Sequence, residues 1–520
     1  MPTENSTIRR LSTSSSKHEP LLRLSLFQNI PPFVRFYAQN SDAKTRPAVK
    51  KPPNNCRDCF KWRKTTLLSN IMKRTLKQSH FELVPETGRG KHLYTAEYRL
   101  LKCWQRVNHL PGDFHIGRKD RLWMHLVESG WPDIMPFTFV LPKDLIALRE
   151  YMESNKKYLI LKPPASARGR GIQIVSSIDD VPLDTPLIAQ KYIDALTLNG
   201  AKFDLRLYVY VASIDPLRIY LYKDGLVRFA SVPMTENAYD NMYMHLTNYS
   251  INKLAKKNGV LDIGVTDLKW PIAKFREFVL SQGRCWTSLW EKIVDVSIKS
   301  IIACHSQILR QQANYPEFPF LNRELFGMDV ILDKDYEPYI LEMNISPSMQ
   351  TGTAEDTAVK APLISDCLNM WRMEYSIDDD LEAADLSYRS KADPRPQKEG
   401  ENLNFYLNTE KISPAILTHL TDADIRYLID FEDEFALRGN FDLIFPAPET
   451  VARYLPAMEA TYANLLLTAW ISLADEDRRI GVERLKSAAA MGAHLSEVDG
   501  DANDSTASTE TEETSGIVDV

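Results

Sequence analysis

The stretch FGMDVILDKDYEPYILEMNISPS, residues 326–348, decides how the rest of the chain is read. Residues 328–332 and 339–343 are apolar runs, and residues 333–338 between them are turn formers, so the segment reads as two strands joined by a turn. Alternation along a strand sends Glu342 and Asn344 to one face, and antiparallel pairing would bring Asp329 from the first strand beside them. Two carboxylates and an amide oxygen are hard donors of the kind that hold Mg²⁺ together with water and nucleotide phosphates. The alternative is an edge hairpin with solvated acids. Against it stand the apolar neighbours of Glu342, because an acid among them is costly to bury without a partner.

The chain around this segment has 520 residues, 44% of them hydrophobic and 25% charged. That exceeds one ordinary core and predicts a globular protein of roughly two to four units. No run of 18 apolar residues occurs, which predicts no transmembrane helix. The N-terminus is Ser-rich with Arg9 and Arg10 and has no apolar core, so no secretory signal is expected, and Glu4 and Glu19 weaken a transit-peptide reading. Six scattered cysteines predict a reducing, cytoplasmic setting; Cys56 and Cys59 form a single CxxC, either a zinc half-site or two free thiols. The formal net charge is −6, yet the first 150 residues carry 26 Lys and Arg against 13 Asp and Glu. A basic front half attracts an acidic polymer, either nucleic acid or an acidic protein tail.

In chain order, residues 1–60 are Ser-, Pro- and Lys-rich and read as disordered, and residues 61–135 as a basic N-terminal domain. Helical spacing is expected over 65–77 through Leu67, Leu68, Ile71 and Met72. Arg118 to Arg121 reads either as a solvated helix start or as an anion site. The catalytic core is expected over 136–372. It comprises a strand at 137–141, a helix over 142–153 with apolar Leu145, Ile146, Leu148 and Met152, strands at 158–162 and 172–175, further strands over 187–229, and a long amphipathic helix over 285–311. Residues 373–410 read as an acidic linker and 411–490 as a helical extension. In the extension Thr421 caps a helix carrying Ile425, Leu428, Ile429 and Phe435 inward, and Gly439 closes it. Residues 491–520 read as a disordered acidic tail.

Three further segments carry chemistry. In LKPPASARGRGIQIV (161–175), Lys162 ends a strand and a loop with Gly169 and Gly171 follows; such glycines let backbone N–H groups approach phosphate oxygens, with Arg and Lys adding charge. An ordinary hairpin with a basic tip is the alternative. In AKFDLRLYVYV (201–211), alternation places Phe203, Leu205 and Leu207 on one face and Lys202, Asp204 and Arg206 on the other, either a cleft lining or a solvent-facing edge. Turns at 215–216 and 223–225 are expected to fold 218–222 and 226–230 into hairpins, with Arg228 facing away from Val227 and Phe229. MHLTNYSINK (244–253) adds His245, Thr247, Asn248 and Lys253, with His245 carried only as a contact.

Together, KPPASARGRGI, FDLRLYVYV, GLVRFAS, MHLTNYSINK, ELFGMDVILD and YILEMNISPS resemble the tubulin tyrosine ligase-like enzymes. VNHLPGDFHIGRKDRLW (107–123) resembles their glutamylase branch, and LTDADIRYLIDFEDEFALRGNFDLIFP (420–446) resembles the segment after the catalytic core in the subgroup that starts side chains on β-tubulin. The resemblance spans about residues 60–470. It implies an α/β ATP-grasp fold with an N-terminal domain typical of the family and a C-terminal helical extension, holding ATP between two lobes. Carried over by position, it implies that Lys162, Arg168, Gly169, Arg170 and Gly171 hold the phosphates, and that Gln190, Lys191, Tyr192 and Ile193 form the adenine hinge. Lys202, Asp204, Thr247 and Asn248 would contact nucleotide, Arg206 and Arg228 the transferred phosphoryl and carboxylates, and Asp329, Glu342 and Asn344 would take Mg²⁺.

The implied reaction joins free L-glutamate to glutamate γ-carboxylates in the acidic C-terminal tails of tubulin. ATP would convert the carboxylate to an acyl phosphate that the incoming amine attacks. A glycine ligase of the same family is the nearest rival, followed by a catalytically inactive microtubule-binding module. Expected partners are tubulin and microtubules, free glutamate and other acidic proteins, with no nucleic acid and no membrane. A monomer in the cytoplasm, on the microtubule cytoskeleton, at cilia, axonemes or basal bodies, is expected. One departure from the family is PETGRGKHL (85–93), where an aromatic-rich stretch is usual. The C-terminal region is acidic, so the basic residues at 61–121, or a partner protein, would have to dock the acceptor.

Overall fold

A computed structural model describes residues 18–39, 48–52, 60–64, 68–85, 105–155, 157–166, 169–235, 239–260, 268–314, 321–375 and 396–494. The Cys56/Cys59 pair, residues 86–93 of the departing motif, Arg168 and the tail beyond 494 fall outside them.

Two sheets organise the described chain. The smaller has four antiparallel strands, β1 (Thr138–Leu141), β2 (Leu159–Lys162), β3 (Gln173–Val175) and β4 (Leu187–Lys191), in the order β1-β4-β2-β3. The larger is built on β5 (Ala201–Ile214), whose fourteen residues are all buried. Along one edge of β5 lie β6 (Leu217–Tyr222) and β7 (Leu226–Phe229), with β8 (Lys269–Pro271) outside β7. Along the other edge runs β9 (Glu324–Leu332), then β10 (Pro338–Asn344). The opening segment of the sequence is therefore an antiparallel pair, with Asp329 directly opposite Glu342.

The alternation expected for β5 holds. Phe203, Leu205, Leu207, Val209 and Val211 pack with Ile293, Ile301 and Ile302 of a 27-residue helix, Trp286–Gln312. Each such fully buried apolar side chain contributes roughly 1.5–3 kcal/mol, which is what fixes the register and so the position of the opposite face. That face carries Asp204 and Arg206, then Tyr208 and Tyr210, which join a second core formed with Val359, Leu363 and Ile364 of the helix Ala354–Met370.

Several expectations change. Residues 226–229 do not pair with 217–222; both lie end to end along β5, and Gly225 sits at the break, where a Cβ would come within 2.6 Å of the Arg206 carbonyl. The helix at 145–154 buries Leu148 and Met152 but leaves Ile146 77% exposed, because Ile146 lies roughly 200° around the axis from Leu148. The expected disordered segment is ordered over 18–39: Leu21, Val34 and Phe36 enter the second core and Phe27 the extension's core. The Asn369 side chain pairs with the Phe36 backbone, and Asp433 accepts from Ser25 and the Leu26 amide. Composition hid this arm, since its apolar residues are too sparse to show a period. The expected acidic linker contains a helix, Pro396–Thr409, whose Leu403 and Tyr406 pack on the extension.

The extension is not purely helical. Its helix Asp422–Ala436 begins at Thr421 with a reciprocal capping box to Asp424, as the sequence suggested. Next comes β11 (Phe441–Phe445), which pairs with β6 and so continues the large sheet. The helices Tyr462–Ile471 and Asp475–Ala490 complete its core around Trp470.

Candidate active site

The two sheets face each other across a cleft of about 840 Å³, open to solvent. The small sheet supplies Lys162 from the end of β2 and Gln190 from β4; Gln190 Oε1 accepts from Lys162 Nζ at 2.6 Å, and its Nε2 donates to Thr138 Oγ1. Lys162 is buried, and burial together with the nearby Lys119 lowers its pKa to about 7. Gly169 and Gly171 have φ of +72° and +70°, and a Cβ at Gly171 would meet the Pro163 ring at 2.9 Å, so this loop requires glycine for its shape.

From the large sheet, Lys202 reaches the Tyr192 hydroxyl at 3.0 Å, and burial lowers its pKa to about 8 although Asp204 opposes the shift. Tyr192 in turn contacts His245 Nδ1 at 2.7 Å, and Tyr239 stacks on both His245 and Tyr158, so aromatic side chains line one end of the cleft. Asn248 heads the helix Tyr249–Lys257 without using its side chain as a cap.

Cross-strand neighbours form the ionic centre. Arg228 is bidentate on Asp204, at 2.7 and 2.6 Å, and its Nη2 also lies 2.9 Å from Asp329. Arg206 is bidentate on Asp329, at 2.5 and 3.0 Å. Thr247 Oγ1 donates to Asp204 at 2.6 Å. Burial pushes the Asp204 carboxyl up, only partly opposed by Arg228. At Asp329 the same burial is outweighed by Arg206 and Arg228, which hold that carboxyl well below its ordinary range. The two guanidinium groups are thus engaged by carboxylates. Asn344 Nδ2 donates to Glu342 Oε1 at 3.3 Å and to the Gly327 carbonyl at 3.0 Å, leaving its side-chain oxygen unused among the described residues.

Seventeen of the eighteen positions singled out from sequence are described, Arg168 being the exception. Thirteen of them line the cleft; Arg206, Arg228 and Asn344 adjoin it behind Asp329, Asp204 and Glu342. Gly171 closes the glycine loop between Arg170 and Ile172, which both line the cleft. The sequence reading left Lys119 undecided between solvent and an anion. It is buried, 2.7 Å from Glu342 Oε2 and 3.1 Å from the Ser166 carbonyl, while Arg118 pairs with Asp120 at the surface. A signal was present: Lys119, Leu122, Trp123 and Leu126 share one buried face of the helix Lys119–Glu128.

The donor set suits a nucleotide with a divalent cation. Lys119, Lys162 and Lys202 line the cleft, and among the described residues Glu342 alone is salt-bridged to one of them, so cationic charge is left for phosphates. Asp329, Glu342 and the Asn344 oxygen are hard donors on adjoining strands. Among the described residues a second group of ligand-type side chains, His109, Asp113 and Glu324, behaves otherwise. Burial alone would lower the His109 pKa, but the two carboxylates lift it to about 10, so a proton holds the group together.

A family model described as the tubulin-tyrosine ligase family matches residues 96–381. The chain belongs to the tubulin-tyrosine ligase family. Among its relatives, a Caenorhabditis briggsae protein named tubulin polyglutamylase ttll-4 is 41% identical over 502 residues, covering 93% of this chain and 82% of that protein. The human tubulin monoglutamylase TTLL4 is 35% identical over 93% of this chain and 43% of its own length. A Tetrahymena thermophila protein named probable beta-tubulin polyglutamylase is 36% identical over 52% of this chain and 24% of its own length. As in other members of the tubulin-tyrosine ligase family, the fold is of the ATP-grasp kind, and the two sheets described above are its opposed lobes.

Proposed function

We propose that this protein is an ATP- and Mg²⁺-dependent ligase that joins free glutamate, through its α-amine, to γ-carboxylates of glutamates in the acidic tails of tubulin. The observation that carries the reading is the meeting, in one cleft, of three buried lysines with the Asp329–Glu342 cross-strand pair and the arginines behind it. The names of the relatives, several of them tubulin glutamylases, support the choice of amino acid and acceptor. In this reading the substrate sits on the microtubule cytoskeleton.

Lys162 and Lys202 neutralise nucleotide phosphates from opposite lobes, and the loop through Gly169 to Gly171 offers backbone N–H groups. Gln190 fixes the Lys162 ammonium, and residues 190–193 flank the base. Asp329, Glu342 and Asn344 hold the divalent cation, with Lys119 keeping Glu342 in place until it binds. MgATP supplies the phosphoryl group that turns a γ-carboxylate into an acyl phosphate with a good leaving group. Arg206 and Arg228, oriented bidentately by Asp329 and Asp204, stabilise negative charge as the amine attacks. Holding carboxylate, nucleotide and amine together removes much of the entropic cost of a three-component reaction.

The test is parallel incubation with MgATP, tubulin and labelled glutamate or labelled glycine. Glutamate label on tubulin is the expected result; label from glycine alone would replace this reading by the glycine-ligase one.

A further inference from the structure

The helix Tyr249–Lys257 starts at the cleft and runs outward from it. Thr247 and Asn248, just ahead of the helix, line the cleft. The glycine loop lies against its first turn, since a Cβ at Gly169 would come within 3.1 Å of Asn248 Oδ1 and 3.4 Å of Ile251 Cγ1. Arg170, the next residue of that loop, lines the cleft and is exposed. Ile251 and Ala255 are buried and seat the helix on the molecule. Lys253, Lys256 and Lys257 point the other way, at the i, i+3 and i+4 spacing that puts three side chains on one helix face, and all three are exposed. Among the described residues none of the three is salt-bridged, and the helix contains no acid.

Helix energetics do not account for this face. Cations in the last turn suit the helix dipole, which covers Lys256 and Lys257, but Lys253 stands ahead of that turn. Like charges four residues apart, such as Lys253 and Lys257, also repel along a helix. Composition does not account for it either, because beyond residue 150 the chain carries more acids than bases. A solvent-open lysine face without acids, at the mouth of an anion-binding cleft, is the complement of an acidic chain lying along it. An acceptor peptide puts one carboxylate into the cleft, and the residues on either side of that one must leave over the rim.

We propose that the face formed by Lys253, Lys256 and Lys257 is the rail on which the acidic peptide of the acceptor lies while one of its glutamates enters the cleft. The identity of this occupant rests on the ligase reading above. At about 1.5 Å per helical residue the three lysines stand roughly 7–14 Å along the axis from Asn248, a distance an extended peptide covers in about two to four residues. The acids the rail holds are therefore those two to four positions from the acceptor glutamate. The lysines bind and orient the peptide; they touch no bond that forms or breaks.

The experiment uses the full-length protein and two synthetic peptides, each with one central glutamate, flanked at two to four positions by Asp in one and by Asn in the other. Transfer of labelled glutamate and peptide binding by fluorescence anisotropy are both measured. The parent should favour the Asp-flanked peptide, with a KM about five- to thirtyfold lower. The triple variant Lys253→Gln, Lys256→Gln, Lys257→Gln should lose that preference and raise the KM for tubulin by a similar factor, as the loss of three exposed ion pairs predicts. Its kcat at saturating acceptor and its KM for ATP should stay within about twofold of the parent. The corresponding triple Arg variant should restore the preference, and salt at about 0.5 M should erase it in the parent. The peptide pair tests the parent directly, so the outcome does not depend on a variant folding. Equal KM for the two peptides in the parent, or a folded triple Gln variant that keeps the preference, would overturn the rail alone. A single-stranded oligonucleotide that binds the three lysines more tightly than the Asp-flanked peptide would overturn it in favour of nucleic acid. Peptide binding that depends on the lysines, with no transfer to peptide or tubulin, would overturn the ligase reading and leave the rail standing.

Discussion

The same face of the large sheet borders two buried ionic clusters, and they behave differently. At the cleft end, Lys202, Arg206 and Arg228 of this sheet, with Lys119 and Lys162 from across the cleft, meet Asp204, Asp329 and Glu342 as the acids among the described residues. At the far end, beyond Tyr208 and Tyr210, Arg106, Arg218, Arg323 and Arg372 meet Glu374, Asp430, Asp433 and Glu434. The far cluster is balanced and closed over by the helix Asp422–Ala436. Glu434 Oε1 accepts from Arg218 Nε at 2.8 Å and from the Tyr220 hydroxyl at 2.9 Å, and its Oε2 accepts from Arg218 Nη2 at 3.0 Å. Balanced charge under a lid holds two units of the chain together; unbalanced charge at an open cleft waits for an anion. The difference lies in the charge count and the access, since both clusters use bidentate arginines on the same sheet.

The sharpest way to break this contrast is to exchange one acid in each cluster. Glu342→Gln removes a cation ligand at the partly exposed cleft edge. Transfer of labelled glutamate should fall by about a thousandfold, as loss of metal-based charge stabilisation predicts. The denaturant midpoint should move much less than in the far cluster, because the Glu342 side chain, 18% exposed at the cleft edge, has Lys119 as its one salt-bridge partner among the described residues and the amide that replaces it can still accept from that ammonium. Retained transfer would take Glu342 out of the metal site. Glu434→Ala should do the reverse. It leaves Arg218 with only the longer 3.4 Å contact to Asp430 and takes the acceptor from the Tyr220 hydroxyl in a dry site, and breaking a buried pair of this kind costs about 3–5 kcal/mol. Chemical denaturation would read that loss. A variant as stable as the parent would mean that the far cluster does not hold the extension to the core.

These clusters were unequally legible in the sequence. The cleft cluster sits on strands whose alternation is strict, so Lys202, Asp204 and Arg206 could be assigned to one face of β5, and Asp329 could be set beside Glu342, from the chain alone. The far cluster draws on Arg218, Arg323, Arg372 and Glu434, scattered over more than 200 positions and brought together only by the extension. No local period marks such a meeting. The strand Phe441–Phe445 was hidden for a related reason, since five residues past the closing Gly439 show themselves as a strand only against the sheet edge that pairs with them. The arm at 18–39 escaped because isolated apolar residues in a polar stretch acquire meaning only against the surface they cover. Lys119 could have been found; its place on the apolar face of a helix outweighed its charge.

A smaller effect sharpens the picture of the cleft as an anion site. Lys162 has its pKa lowered to about 7 by burial and by Lys119. Bound phosphates would return it toward its ordinary, higher value. Below pH 7 the ammonium is charged with or without nucleotide, so affinity should be flat. Above pH 7 binding must restore a proton, so the Kd for ATP should rise with pH, by up to roughly tenfold per unit. Titration of nucleotide affinity between pH 6 and 9 measures this, and Lys162→Arg, which stays protonated throughout, should flatten the curve up to about pH 8, where Lys202 begins to lose its own proton. A Kd that falls with rising pH would reverse the sign and remove Lys162 from phosphate binding.

The smallest change probes whether the two clusters are independent. Thr421 caps the helix that covers the far cluster, and its hydroxyl accepts from the Asp424 amide while Asp424 accepts from the Thr421 amide. Thr421→Ala should cost about 1 kcal/mol in unfolding free energy, the ordinary worth of a cap. If the clusters act separately, kcat should stay within about twofold of the parent, because the lid weakens without unfolding and nothing at the cleft changes. On β5, Tyr208 and Tyr210 stand between the clusters, both fully buried, with Arg206 beside Tyr208 and Arg323 beside Tyr210. A larger fall in kcat at full folding would point to this tyrosine pair as the connection, since its two members adjoin one cluster each.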